Sequence, residues 1–197
     1  MLKEFIQNNA NLSVPKNTEE YLNRMVEVFD SLVDFLRNPD KFPDPQINQL
    51  VTLLWSLIGN KDITVVLDQW NFPSVSFAVL GNNIEQQPIL IIPRDFIIKV
   101  AEDPVFQLGM IVYMASQARD FYTGKIKEGS SDILTRRARA WEAQALLTLE
   151  EMAQKEGVQL TLNKYQLEIL QENPNGLSSL PPELNYSTPI WQPPRFG

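Results

Sequence analysis

This chain of 197 residues contains neither histidine nor cysteine, and the two absences remove whole classes of chemistry. Without imidazole, no side chain has an ordinary pKa close to neutrality. Without imidazole or thiolate, no nitrogen- or sulfur-ligand zinc site can be built. A disulfide framework and a thiol nucleophile are excluded as well, a usage compatible with the cytosol. Positive charge is also scarce: 17 Lys and Arg stand against 24 Asp and Glu, a formal net charge of −7. Binding to a phosphate backbone calls for a basic face, so we expect no nucleic-acid partner. Long apolar runs are missing too, and the polar start Met1–Asn9 is too short for a secretory signal. A soluble, cytoplasmic protein that does not enter the membrane is expected.

What the chain does have is 44% hydrophobic residues, enough for one sizeable core. We expect a single helical α+β domain over residues 1–172, followed by an extended Pro-rich arm over residues 173–197. Asn17 or Thr18 can cap a helix of about five turns that lines up Leu22, Met25, Val26, Phe29, Leu32, Val33 and Leu36. Its opposite face, with Glu19, Glu20, Arg24, Glu27, Asp30 and Asp34, reads as solvated. After Pro43 and Pro45, Ile47–Ile58 is apolar over so much of its circumference that it should be central and buried. Trp55 fits either the core or an interface. From Asp62 the period changes to two. Ile63–Asp68 and Val75–Leu80 read as antiparallel neighbours, with Pro88–Pro93 as a third strand in meander order. Phe96–Ala101 fits a short helix or a continued strand.

The most informative stretch is Asp103–Gly157. Asp103 caps and Pro104 starts one helix that stops near Gly124, and a second runs from Ser131 or Asp132 to Gly157. The connection is short, so the two should pack antiparallel, with the strands beside the first. Ser116, Gln117 and Asp120 fall together on one side of the first helix, and they read as polar positions facing solvent or satisfied locally. In Arg136-Arg137-Ala138-Arg139, Glu142 lies three residues beyond Arg139 and Asp132 four before Arg136, which accounts for the charges by pairing along the helix face. The Gly124–Ser131 loop lacks the pattern of a nucleotide-binding loop.

Ala115-Ser116-Gln117-Ala118-Arg119-Asp120 resembles the Ala-His-Glu-Ala-Arg-His form of the zinc-binding helix of zincin metallopeptidases. Arg139-Ala140-Trp141-Glu142-Ala143-Gln144-Ala145 is similar to the Arg-x-x-Glu-Ala-Asp-Ala run that supplies their third ligand. The likeness spans roughly residues 62–157, with Pro88–Pro93 as the preceding strand. It implies a zincin-like fold in which Ser116 and Asp120 occupy the histidine positions, Gln117 the general-base position and Glu142 the surviving ligand position. A shifted register instead sets Tyr113, Met114 and Gln117 on the motif. Since Gln117 cannot accept a proton as glutamate does, zinc hydrolysis by the family mechanism is excluded in this reading. The resemblance thus implies a non-catalytic relative acting as an interaction or structural component, with no cofactor. The alternative is an enzyme that holds a hard divalent ion between Asp120 and Glu142.

Pro174, Pro181, Pro182, Pro189, Pro193 and Pro194 forbid a long helix at the C-terminus, while Tyr186, Ile190, Trp191 and Phe196 give it apolar anchors. A linker seldom carries so many. We expect this arm to dock on its own body or to mediate self-association or binding of a protein partner. Trp55, Trp70 and Trp191 are further candidate contact points.

Overall fold

The structure is a computed structural model, and it describes residues 1–67, 72–81, 85–123 and 131–184. The chain is mainly helical with a small three-stranded sheet, an α+β arrangement. The first helix, α1 (Leu2–Ala10), occupies a segment whose sequence suggested only the absence of a signal. It is tied down by packing and by its N-terminus. Leu2 and Phe5 are buried, and Phe5 stacks on Phe35 at 4.1 Å between ring centroids. The Glu156 carboxylate accepts hydrogen bonds from the backbone N–H groups of Leu2 and Lys3, both at 2.9 Å.

Asn17 caps α2 (Thr18–Arg37), its side chain accepting from the N–H groups of Glu19 and Glu20. Met25, Phe29, Leu32, Val33 and Leu36 form its buried stripe as expected, but Leu22 and Val26 are exposed and Val28 and Phe35 are buried in their place. The inward face is therefore rotated from the one the spacing picked out. Each fully buried leucine here contributes about 1.5–3 kcal/mol. Asp44 caps α3 (Pro45–Gly59), with Pro45 at the first position, where its missing N–H is harmless. This helix is central, as its apolar circumference requires, and Trp55 at its rim lies half-buried beneath the Arg37 guanidinium.

The sheet differs from the expected meander. Strands β1 (Thr64–Leu67), β2 (Ser76–Leu80) and β3 (Gln87–Ile92) take the order β1-β3-β2. The central strand β3 is parallel to β1, with Thr64 opposite Ile89, and antiparallel to β2, with Ser76 opposite Ile91. The first two strands are therefore not neighbours. The physical reason is visible in the side chains: Ile89–Ile92 are buried without alternation, as a central strand demands, whereas β1 and β2 retain exposure suited to edges.

Phe96–Ala101 resolves as a helix, α4 (Phe96–Glu102). Asp103 then caps α5 (Pro104–Tyr122) by accepting from the Phe106 N–H. This helix ends at Tyr122 with Thr123 as its cap, before Gly124, which lies outside the described residues. The longest helix is α6 (Ser131–Glu156), ended by Gly157 in the left-handed region at φ +64. Residues 158–163 join no strand, and Asn163 and Gln166 form a reciprocal cap for α7 (Lys164–Glu172).

Beyond Asn173 the backbone is not extended at first. A 3-10 turn over Gly176–Ser179 lies on α6, its Leu177 N–H donating to the Gln144 side chain, with Leu177 and Leu180 buried. Gly176 is required there, because its φ is +58 and an added Cβ would meet Gln144 at 2.3 Å. Tyr186, Ile190, Trp191 and Phe196, the anchors expected of the arm, lie outside the described residues, as do Trp70, Asp68 and the Gly124–Ser130 loop.

Candidate functional site

The helices α5 and α6 run antiparallel, because the end of α5 meets the start of α6 while the first half of α5 meets its middle. Asp120 near the end of α5 pairs with Arg137 at 3.0 Å, and Gly109, in the first half, faces Glu142. Gly109, Tyr113, Ser116 and Asp120 follow one another at spacings of four, three and four, so they share the face turned to α6. Small Gly109 lets the Glu142 side chain come close: a Cβ at this position would stand 2.9 Å from Glu142 Oε1. The strands lie beside α5, as expected from the sequence. Phe77 on β2 and Phe121 have ring centroids 6.0 Å apart, and the Tyr122 hydroxyl donates to the Asp62 carbonyl.

Ser116 and Asp120 are wholly buried and Gln117 half-buried, so of the two expected environments, solvent or local satisfaction, Ser116 and Asp120 do not have the first. One carboxylate oxygen of Asp120 is 3.0 Å from Arg137 and 3.3 Å from Arg119, both of them buried. Arg119 also lies over the ring of buried Trp141, 5.0 Å from its centroid. Burial pulls the Arg119 guanidinium below its ordinary pKa, and Asp120 opposes that pull. The Ser116 hydroxyl has no hydrogen-bond partner among the described residues. This cluster has the form of a structural ion-pair network inside a helix interface.

Glu142 takes part in a different environment. Its side chain is wholly buried; Oε2 accepts a 2.9 Å hydrogen bond from the Tyr165 hydroxyl, and Oε1 has no partner among the described residues. Desolvation pushes its carboxyl up to about 8, against the smaller opposing effects of Tyr165 and Arg139. Burial, with Glu142 beside it, raises the Tyr165 phenol above its ordinary range. The pairing along α6 anticipated for Arg139 is replaced by a bond to Glu172 on α7 at 3.1 Å, because Glu142 turns toward α5. Arg137 is buried.

Asp120 and Glu142 thus have different partners: Arg119 and Arg137 for the first, Tyr165 and the Gly109 backbone for the second. Among the described residues no group of three or more Asp or Glu side chains is placed to hold a metal.

Tyr113, the position picked out by the shifted register, belongs to the surroundings of Tyr165 and so to those of Glu142. Tyr113 and Tyr165, with Phe106, Met110, Pro73 and Ser74, border an open cleft of about 510 Å³. Tyr165 lies 52 residues after Tyr113 and has no local pattern that marks it. Gly109, the one glycine of α5, carried a legible signal that something approaches the helix closely there. No helix among the described residues is long and apolar enough to cross a membrane. Comparison with protein-family models, with curated proteins and with solved structures finds no match.

Proposed function

We propose that this chain is a non-catalytic, zincin-like protein that serves as an interaction or structural component, engaging itself or a protein partner through residues 185–197. The observation that carries the reading is the state of Asp120. At the position where the resemblance sets a zinc ligand, a carboxylate is held by two buried guanidiniums. Breaking such a pair to free the carboxylate for a metal costs several kcal/mol. The order of elements adds support: a buried strand, then α4, α5 and α6, with Glu142 turned toward α5. The absence of His and Cys from the whole sequence points the same way.

The interaction half of the proposal draws on Tyr186, Ile190, Trp191 and Phe196, whose apolar surface is worth a few kcal/mol on burial and whose neighbouring prolines reduce the entropy lost on docking. The test is deletion of residues 185–197. A segment that docks on its own body makes the shortened chain melt at lower temperature. One that mediates assembly leaves the melting temperature alone and lowers the mass in sedimentation. A shortened chain unchanged in both would overturn the interaction reading.

A further inference from the structure

The first turn of α2 meets the end of β3 at another cleft, of about 600 Å³, a size suited to a small ligand. The Tyr21 hydroxyl donates to the Arg94 carbonyl and so fastens the turn after β3 to the helix. Leu22 and Met25, three residues apart on α2, form an apolar side of the cleft together with Leu67 of β1. Leu22, expected in the core, is 36% exposed because it borders this opening. The charge here is opposite to that of the chain as a whole. Against a formal net charge of −7, the cleft is bordered among the described residues by Lys16 and Arg94 and by no Asp or Glu. Neither cation enters an ion pair among the described residues. Asp95, close enough to Tyr21 to act on its hydroxyl, is held by Lys99 at 3.2 Å and does not border the cleft. A cationic ligand would meet two charges of its own sign, and a small hydrated anion would leave the surface of Leu22, Met25 and Leu67 in water.

We infer that this cleft binds a medium-chain carboxylate, its alkyl chain on Leu22, Met25 and Leu67 and its head at Lys16 and Arg94. The alkyl chain supplies most of the affinity, about fourfold for each methylene fully buried. The head contributes less, about threefold for each cation, because Lys16 and Arg94 are exposed and water screens them. The site is independent of the zincin likeness and of residues 185–197, since it uses only α2, the turn before it, β1 and the turn after β3.

The experiment titrates the full chain, carrying carbon-13 in its methionine methyl groups, with octanoate, hexanoate and octan-1-ol at pH 7, followed by NMR. Met25 borders this cleft and Met110 the one beside Tyr165, so the two methyl signals tell the sites apart. Octanoate should shift the Met25 methyl saturably and leave that of Met110 in place. It should bind about tenfold more tightly than octan-1-ol, which lacks the charge, and about tenfold more tightly than hexanoate, which lacks two methylenes. Lys16→Gln and Arg94→Gln change exposed side chains and spare the Arg94 carbonyl that holds Tyr21. Each should weaken octanoate about threefold and leave octan-1-ol unaltered, whereas Leu22→Ser should weaken both ligands alike. Equal affinity for octanoate and octan-1-ol, no saturable shift at Met25, a shift at Met110 in its place, or unaltered octanoate binding by the Lys16→Gln, Arg94→Gln double variant would each overturn the assignment.

Discussion

Replacing Glu142 by Gln should make the protein more stable at pH 8 and leave it close to unchanged at pH 5. The carboxyl is buried against Gly109 and held at about 8, against an ordinary 4.5. A group whose pKa is raised by folding stabilises the folded state fully below the unfolded value and loses that contribution as pH rises through the folded one. Between pH 4.5 and 8 the unfolded chain has released this proton while the folded chain keeps it, so stability falls as pH rises. At about 1.4 kcal/mol for each tenfold, the ceiling is about 5 kcal/mol, and water entry would lower it. The amide of the Glu142→Gln variant removes the titration yet still accepts from the Tyr165 hydroxyl, at the cost of a buried N–H worth about 1–2 kcal/mol. Urea unfolding of both proteins at pH 5, 6, 7, 8 and 9 isolates this residue, because every other titrating group cancels in the difference. The difference should grow in favour of the variant by several kcal/mol from pH 5 to pH 8. A difference that is flat across this range would show that Glu142 is not held in a desolvated site, and the reasoning would fail.

Two other substitutions probe the framework. Asp120→Ala leaves buried Arg119 and Arg137 without their shared carboxylate and should cost about 3–5 kcal/mol in urea unfolding, whereas a loss under about 1 kcal/mol would mean the network is not structural. Asp44→Ala removes both the cap of α3 and the acceptor for Gln144 at 2.8 Å and Thr148 at 3.1 Å, and should cost about 2–4 kcal/mol; Asp44→Asn, which keeps one carbonyl oxygen, should recover about half of it.

Local chemistry was legible in the sequence wherever it acts over a few residues. Asn17, Asp103 with Pro104, and Gly157 mark helix ends that the structure reproduces within a residue or two, because capping is decided by neighbouring backbone groups. Strand order was not, since it depends on partners brought together across tens of residues. The unbroken run Ile89–Ile92 nevertheless carried the hint that β3 is central. In the candidate site, helical spacing placed Ser116 and Asp120 on one face but could not say that the face points inward. That direction is set by α6, whose Arg137 supplies the charge that makes a buried Asp120 tolerable. The same limit explains Arg139: three-residue spacing made Glu142 its natural partner, and only the packing of α7 revealed Glu172.

The central claim, that the helix pair is a structural interface and not a metal centre, is tested most directly by the zinc content of the purified full chain after incubation with zinc and gel filtration. Far less than one zinc per chain is expected, and no chelator-sensitive cleavage of peptides, because no imidazole or thiolate is present and Asp120 is held by Arg119 and Arg137. One tightly held zinc per chain that is lost in Asp120→Asn or Glu142→Gln would contradict it.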